Sequence, residues 1–153
     1  MRITVIGGTE DQATELTSAA YFFARRLMHP NLVRALNVDI NVVKRHSTLG
    51  MCDTSANDRG KYRDFEITLR SRRGDPDICQ TLAHEMIHVK QYATGQLSSD
   101  AVLIAKAGKL LYTTLWMNEA WIPCGDESHY YDSPWEIEAY GREVGLYYRW
   151  RNR

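Results

Sequence analysis

The chain carries the stretch DPDICQTLAHEMIHVKQYATG at residues 75–95. It predicts one helix over about residues 76–94. Asp75 supplies an N-cap, Pro76 suits the first helical turn, and Gly95 supplies a C-terminal stop. One face of this helix has apolar residues at helical spacing, namely Ile78, Leu82, Met86, Val89 and Ala93. We expect the helix to pack on that face and to present an adjacent face to a site.

The adjacent face carries an H-E-x-x-H motif, formed by His84, Glu85 and His88. Two histidines four positions apart lie about one helical turn from each other, so both imidazoles can bind one metal ion. Glu85 is placed to address a water on that metal. The motif predicts a zinc hydrolase. The alternative is a helix whose two histidines are exposed or hydrogen-bonded within the core.

A catalytic zinc site normally has three protein ligands and an open position for water. The third histidine of a metzincin is excluded, because Thr94 stands at its position. The remaining candidates are Glu136, Glu138, His129, Cys124 and Cys52.

A second helix is predicted from Ser133–Glu136 to about residue 150. On a helical wheel, one apolar sector contains Ile137, Tyr140, Val144, Tyr147 and Tyr148, and another contains Trp135, Ala139, Leu146 and Trp150. Glu136 falls between the two sectors, where a metal would compensate a buried carboxylate. Its alternative role is a capping box with Ser133. Glu138 falls in the polar sector, where an ion pair with Arg142 explains it, and we expect Glu143 to support a ligand through a hydrogen bond or salt bridge.

The two helices together resemble the small single-domain gluzincin metallopeptidases, which include phage and prophage zinc-peptidase-like proteins. The resemblance rests on HEMIHVKQY at residues 84–92 and PWEIEAY at residues 134–140, and it covers roughly residues 62–148. In gluzincins the third ligand is a Glu at the first position of Glu-x-x-Ala, followed by Asp or Asn. Glu136 to Ala139 match this pattern and Tyr140 departs from it, which removes a usual partner of the ligands.

The resemblance implies an α+β minimal zincin fold, in which a small mixed or antiparallel sheet packs on the motif helix and on the C-terminal helix. It implies hydrolysis of peptide bonds in a peptide or protein substrate, with Zn²⁺ held by His84, His88 and Glu136 and with Glu85 as general base. His129 is our preferred donor to the oxyanion. The neighbouring candidates for that role are Tyr130, Tyr131 and Tyr140.

The resemblance also implies that an extended peptide adds to an edge strand beside the motif helix. Residues 62–70 alternate apolar and polar side chains, which is compatible with this edge role, although an internal strand would show the same pattern. Further expected elements are strands at residues 2–6 and 36–43, a helix at residues 10–28 and a loop at residues 53–60. Residues 101–107 are read as a short helix, and residues 110–123 as a hairpin that turns near Asn118.

The length of 153 residues predicts a single metallopeptidase-like domain over residues 1–153. The formal net charge of zero argues against an obligate nucleic-acid or membrane-surface binder. Two arginine clusters, at residues 70–73 and 149–153, suit a solvated rim that can contact phosphate or an acidic substrate. A short N-terminal apolar run and three cysteines without C-x-x-C spacing predict a cytoplasmic protein.

Three alternatives remain open. A SprT-like protease would use His129 as its third ligand and would work around DNA. A deformylase-like metallohydrolase would take a thiolate from Cys52, in the stretch LGMC at residues 49–52. A zinc-stabilised or metal-free interaction module would keep the fold without turnover. Glu85 favours catalysis, because a purely structural metal site has no use for a base at that position.

Overall fold

Four strands form a mixed sheet, and the long helices pack against it and against one another. The computed structural model of the protein describes residues 1–106, 109–121 and 130–153. The elements are β1 (Arg2–Ile6), α1 (Glu10–Leu27), α2 (Pro30–Arg34), β2 (Asn37–Val43), β3 (Gly50–Ala56), β4 (Tyr62–Arg70), α3 (Ile78–Ala93), β5 (Leu97–Lys106), β6 (Lys109–Trp116), β7 (Glu119–Ala120) and α4 (Pro134–Arg151). The predicted α+β class is confirmed.

The strand order in the main sheet is β1-β2-β4-β3. β1 pairs with β2 and β2 pairs with β4 in parallel, whereas β3 pairs with β4 in antiparallel orientation. β4 is therefore an internal strand, and the prediction that residues 62–70 form an edge is wrong. Its alternation is real, because Phe65, Ile67 and Leu69 are buried, but an internal strand with one polar face has the same pattern.

The edge beside β4 is β3, which the sequence analysis assigned in part to a loop. Apart from Met51, its side chains are small or polar, and they alternate only between exposed and half-buried positions. Thr54 Oγ1 donates a hydrogen bond of 2.7 Å to the backbone oxygen of Asp64, which helps hold this weak strand on β4. The strand exists because β4 offers it a partner, so local sequence alone does not reveal it.

Helix α3 lies in the centre of the protein, between the sheet, α1 and α4. Twelve of its residues are buried, and they include both histidines and the glutamate of the motif. The helix begins at Ile78, later than predicted, because its N-cap is Asp77 rather than Asp75. Asp77 Oδ1 accepts a hydrogen bond from the Cys79 N–H at 2.9 Å. Asp75 is held instead by the Arg70 guanidinium, at 3.0 Å and 3.1 Å.

Helix α4 packs against α3 along one of its two predicted apolar sectors. Ala139, Leu146 and Trp150 are buried there, together with Glu136. Most of the other sector is exposed to solvent, namely Ile137, Tyr140, Val144 and Tyr148.

The second sheet has three antiparallel strands in the order β5-β6-β7. The short helix predicted at residues 101–107 is wrong for residues 101–106, which belong to β5. The predicted turn near Asn118 is confirmed, since Met117 and Asn118 have φ values of 53° and 68° between β6 and β7. None of the helices in the described part of the chain is long and apolar enough to cross a membrane.

Candidate metal centre

Three predicted ligands from two helices converge at the contact between α3 and α4. One ligand atom each from His84, His88 and Glu136 lies within 4.8 Å of the other two. The two Nε2 atoms of the histidines are 3.1 Å apart. The Glu136 carboxylate oxygens lie 3.3 Å from His84 Nε2 and 3.4 Å from His88 Nε2. The grouping predicted from the sequence is therefore present in the fold.

The Glu136 carboxylate is buried without a full set of partners. Its Oε2 atom makes no hydrogen bond of acceptable geometry within residues 1–106, 109–121 and 130–153, although His84 Nε2 lies 3.3 Å away. A buried acceptor without a donor is costly, and a cation removes that cost. Two imidazole nitrogens and one carboxylate oxygen are also the donor set of many catalytic zinc sites. The residues present therefore fit a zinc ion.

Glu136 is free to face the histidines because it does not cap its own helix. Ser133 is the N-cap of α4, but its side chain makes no capping hydrogen bond. Ser133 Oγ donates instead to the Tyr130 backbone oxygen at 2.7 Å. The capping-box alternative for Glu136 is excluded by this arrangement.

Each histidine is oriented through its other ring nitrogen. His84 Nδ1 lies 2.7 Å from Glu143 Oε2, and the other Glu143 oxygen accepts from Gln80 Nε2 at 3.0 Å. His88 Nδ1 lies 2.8 Å from Gln91 Oε1. Donation from Nδ1 to these oxygens leaves each Nε2 lone pair available to a metal. The hydrogen bond predicted for Glu143 is present. Gln80 was missed because its partner lies on α4, and Gln91 was missed although it follows His88 by three residues on the same helix.

Glu138 belongs to an ion-pair network outside the metal group. It accepts hydrogen bonds from Lys90 Nζ at 2.6 Å, Arg142 Nη1 at 2.8 Å and Gln91 Nε2 at 3.1 Å. The predicted ion pair with Arg142 is confirmed. Glu138 also fixes the amide whose oxygen contacts His88, so it acts on the site through Gln91.

The buried charges shift the pKa values of the site in different directions. Burial acts to lower the pKa of both histidines, but at His84 the neighbouring carboxylates outweigh burial and its pKa is raised. The pKa of His88 is lowered, with burial as the main cause. Burial acts to raise the pKa of Glu136, and the adjacent imidazoles overcome it, so that pKa is lowered. The Glu136 carboxylate is therefore kept ionised beside the histidines.

Glu85 lies beside the ligand group and lines a cleft of about 490 Å³ together with His84. Its carboxylate is buried against β3, and burial raises the pKa of Glu85 to about 7. Gly50 and Thr81 border the same cleft. The cleft thus brings the predicted general base next to one of the predicted metal ligands.

Tyrosines form the opposite wall of this cleft. The Tyr140 ring packs on the His84 ring with a centroid distance of 4.6 Å and an interplanar angle of 64°. The position that departs from the gluzincin pattern thus contacts a ligand through its ring. Tyr130 lines the cleft near Glu136, and burial and that negative charge raise the pKa of its hydroxyl.

Two ligand candidates, His129 and Cys124, lie outside the described residues. Cys52 is described, on β3, and it does not belong to the metal group. Burial raises the pKa of the Cys52 thiol well above its ordinary value. Because Cys52 lies outside the group of possible metal ligands, the structure gives no support to the deformylase-like alternative.

Comparisons of this chain with protein-family models, with curated proteins and with solved structures found no match.

Proposed function

We propose that the protein is a zinc-dependent metallopeptidase that hydrolyses peptide bonds. The observation that carries the proposal is the convergence of His84, His88 and Glu136 from two helices, with Glu85 in the cleft beside them. A purely structural metal site normally has four protein ligands and no neighbouring base. Three ligands among the described residues and an adjacent buried carboxylate fit a catalytic site better.

His84, His88 and Glu136 would hold the zinc ion, which supplies an acidified water and a Lewis acid for the scissile carbonyl. Glu85 accepts the proton of the attacking water and returns it to the leaving amine. Glu143 and Gln91 hold the two imidazoles in the orientation that this requires.

The oxyanion that forms at the scissile carbonyl needs a hydrogen-bond donor. His129 remains a prediction for this role. Among the described residues we prefer Tyr130 as the donor to the oxyanion. It lines the cleft near Glu136, and its hydroxyl stays protonated at neutral pH. A Tyr130→Phe variant should keep the metal and lose turnover number, whereas a packing role would leave the turnover number unchanged.

The substrate is proposed to bind as an extended strand along β3. This strand is one of the two edge strands of the main sheet in the described chain, and it packs against α3. Gly50, at its start, borders the cleft. Backbone hydrogen bonds to such an edge bind a peptide with little dependence on its sequence.

An interaction module that binds zinc without turnover is the second candidate. Its zinc content would match that of the peptidase, so only activity separates the two. The gluzincin ligand set is preferred to the SprT-like set, whose third ligand would be His129, because Glu136 is already directed at both histidines. The other carboxylate candidate, Glu138, is engaged by Lys90 and Arg142.

The test is peptide cleavage by the zinc-loaded protein, with new N-termini identified by mass spectrometry in a peptide library from a digested proteome. The wild type should generate new termini, and Glu85→Gln should retain zinc and generate none. Glu66→Gln is the matched control, because Glu66 lies on the exposed face of β4. Equal activity of wild type and Glu85→Gln would contradict the proposal, and an inactive zinc-loaded wild type would favour the interaction module.

A further inference from the structure

A second open cavity, of about 840 Å³, adjoins the cleft and is lined mainly by cations. Five of its seven lining residues are lysine or arginine, namely Lys44, Arg45, Arg70, Arg72 and Arg73. We call this cavity the basic groove. The sequence analysis found the three arginines, but the two residues that follow β2 meet them only in the fold.

The sheet topology explains why these residues meet. β2 and β4 are neighbouring parallel strands, so their carboxyl ends lie at the same edge of the sheet. Lys44 and Arg45 follow β2, and Arg72 and Arg73 follow β4 shortly after Ser71. The Ser71 N–H donates to the Val43 oxygen at 2.8 Å, which ties the two loops together. The basic groove is therefore a consequence of the sheet topology.

Arg70 lines the basic groove, but its charge is already paired with Asp75. Its guanidinium binds both carboxylate oxygens of Asp75, and its Nη1 donates to the His46 backbone oxygen at 3.1 Å. These bonds fix the loop after β2 against the loop after β4. Arg70 thus shapes the groove and leaves the other four cations to bind a ligand.

The other four cations have little internal compensation. Lys44, Arg45 and Arg73 take part in no ion pair or side-chain hydrogen bond with the residues that the structure describes. Arg72 reaches Asp75 only at 3.8 Å, and 66% of its side chain is exposed. In a chain with a formal net charge of zero, this is a local excess of positive charge that an anionic ligand would neutralise.

The basic groove adjoins the proposed peptide site. Arg70 borders both the groove and the cleft, and the loop that carries Lys44 and Arg45 continues through Ser47 to Gly50, where β3 begins. A peptide laid along β3 and extended past Gly50 would therefore enter the basic groove. The positions of the two cavities favour one continuous ligand.

The charge around the sheet argues for a peptide and against a nucleic acid. The polar face of the sheet carries a second surface cavity with four acidic lining residues, Asp39, Asp53, Asp64 and Glu66. A nucleic-acid backbone needs an extended basic surface, and these carboxylates on the same sheet would repel it. A short acidic segment needs only the groove itself.

We propose that the basic groove binds an acidic segment of the substrate polypeptide, located to one side of the scissile bond. That this segment belongs to a substrate rests on the proposed peptidase function. Binding of the acidic segment is nevertheless measurable without turnover. Its test uses the zinc-loaded Glu85→Gln protein and rhodamine-labelled peptides in a fluorescence anisotropy titration. One peptide ends in a run of glutamates, and the matched peptide has glutamines at the same positions.

The glutamate peptide should bind about tenfold more tightly than the glutamine peptide, and this preference should fall as salt is added. Lys44→Glu with Arg45→Glu should abolish the preference, and Arg72→Glu with Arg73→Glu should do the same. Arg25→Glu with Arg26→Glu is the matched control, an exposed arginine pair at the end of α1 that should keep the preference.

Equal affinity for the two peptides would overturn the proposal, and so would a preference that the Arg25 and Arg26 control loses to the same extent. Tighter binding of a single-stranded oligonucleotide, lost in the same groove variants, would overturn it in favour of nucleic acid. The comparison of the two peptides on one protein does not depend on whether the groove variants fold. Failure of the wild type to cleave any peptide would contradict the proposed function and leave the peptide preference as a separate result.

Discussion

The backbone of Gly50 lies directly against the carboxylate of Glu85. A Cβ atom at residue 50 would approach Glu85 Oε1 closer than van der Waals contact permits, and it would lie 2.8 Å from Thr81 Cγ2. A larger residue at the start of β3 would therefore force the Glu85 carboxylate and the Thr81 methyl group to move. The contact couples the edge strand proposed to bind substrate with the base proposed to act on it.

Gly50→Ala should therefore lower kcat/KM by about a hundredfold, because the new methyl group displaces the Glu85 carboxylate from the position in which it accepts the proton of water. Zinc content should not change, since Glu85 is not a ligand. The control is Gly145→Ala on the exposed face of α4, where a Cβ meets nothing within 4 Å. Unchanged kcat/KM in Gly50→Ala would show that Glu85 is not the base.

Glu143→Ala should weaken zinc binding by about 10-fold to 100-fold, because His84 loses the carboxylate that orients its ring. Competition with a chromophoric chelator measures this affinity. Glu66→Ala, which removes an exposed carboxylate from the polar face of the sheet, should have the wild-type affinity. Equal zinc affinities in the two variants would show that Glu143 does not contribute to zinc binding.

Asp77→Ala should destabilise the protein by about 1 kcal/mol near neutral pH, because Asp77 caps α3. Burial acts to raise the pKa of Asp77, but the Cys79 N–H, Tyr147 and Arg151 outweigh it, so the pKa is lowered. The folded state thus binds this proton more weakly than the unfolded state does, and the stabilisation is present above the unfolded pKa.

That stabilisation is lost as pH falls through the lowered pKa of Asp77. Urea unfolding should therefore show a smaller difference between wild type and Asp77→Ala at about pH 3 than at about pH 7. A difference that stays constant between the two pH values would mean that the carboxylate charge contributes nothing. Arg149→Ala, on the exposed side of α4, serves as the control for acid destabilisation in general.

N-methylation of a substrate backbone amide that pairs with β3 should raise KM by about tenfold, because one hydrogen bond of strand addition is lost. Methylation at the next residue, whose amide points away from the sheet, should have little effect. Steady-state kinetics on the two isomeric peptides measures the contrast. Identical KM values would contradict binding along β3.

The strands and helices with strong periodicity were predictable from the sequence. β2 and β4 begin and end close to their predicted residues because their side chains alternate, and α1, α3 and α4 carry apolar faces. β1 is recognised as a short apolar run closed by two glycines. β3 was not predictable, because its residues have weak strand preference and depend on β4. The short α2 was also missed, since it lasts only from Pro30 to Arg34.

The site divides in the same way. His84, Glu85 and His88 follow from local spacing, and Glu136 follows from its place on the helical wheel. The choice between ligand and capping box at Glu136 needs the position of α4 relative to α3, and so does the role of Gln91. The N-cap of α3 was also not predictable from local spacing. Asp75 is bound by Arg70, and Asp77 caps the helix instead.

The central claim is that His84, His88 and Glu136 bind one zinc ion, and zinc content per chain tests it most directly. Elemental analysis of protein dialysed after zinc loading should give about one zinc in wild type, Glu138→Gln and His129→Ala. Glu136→Gln should contain close to none, although its fold is retained. Full zinc content in Glu136→Gln, or loss of zinc only in His129→Ala, would contradict the account.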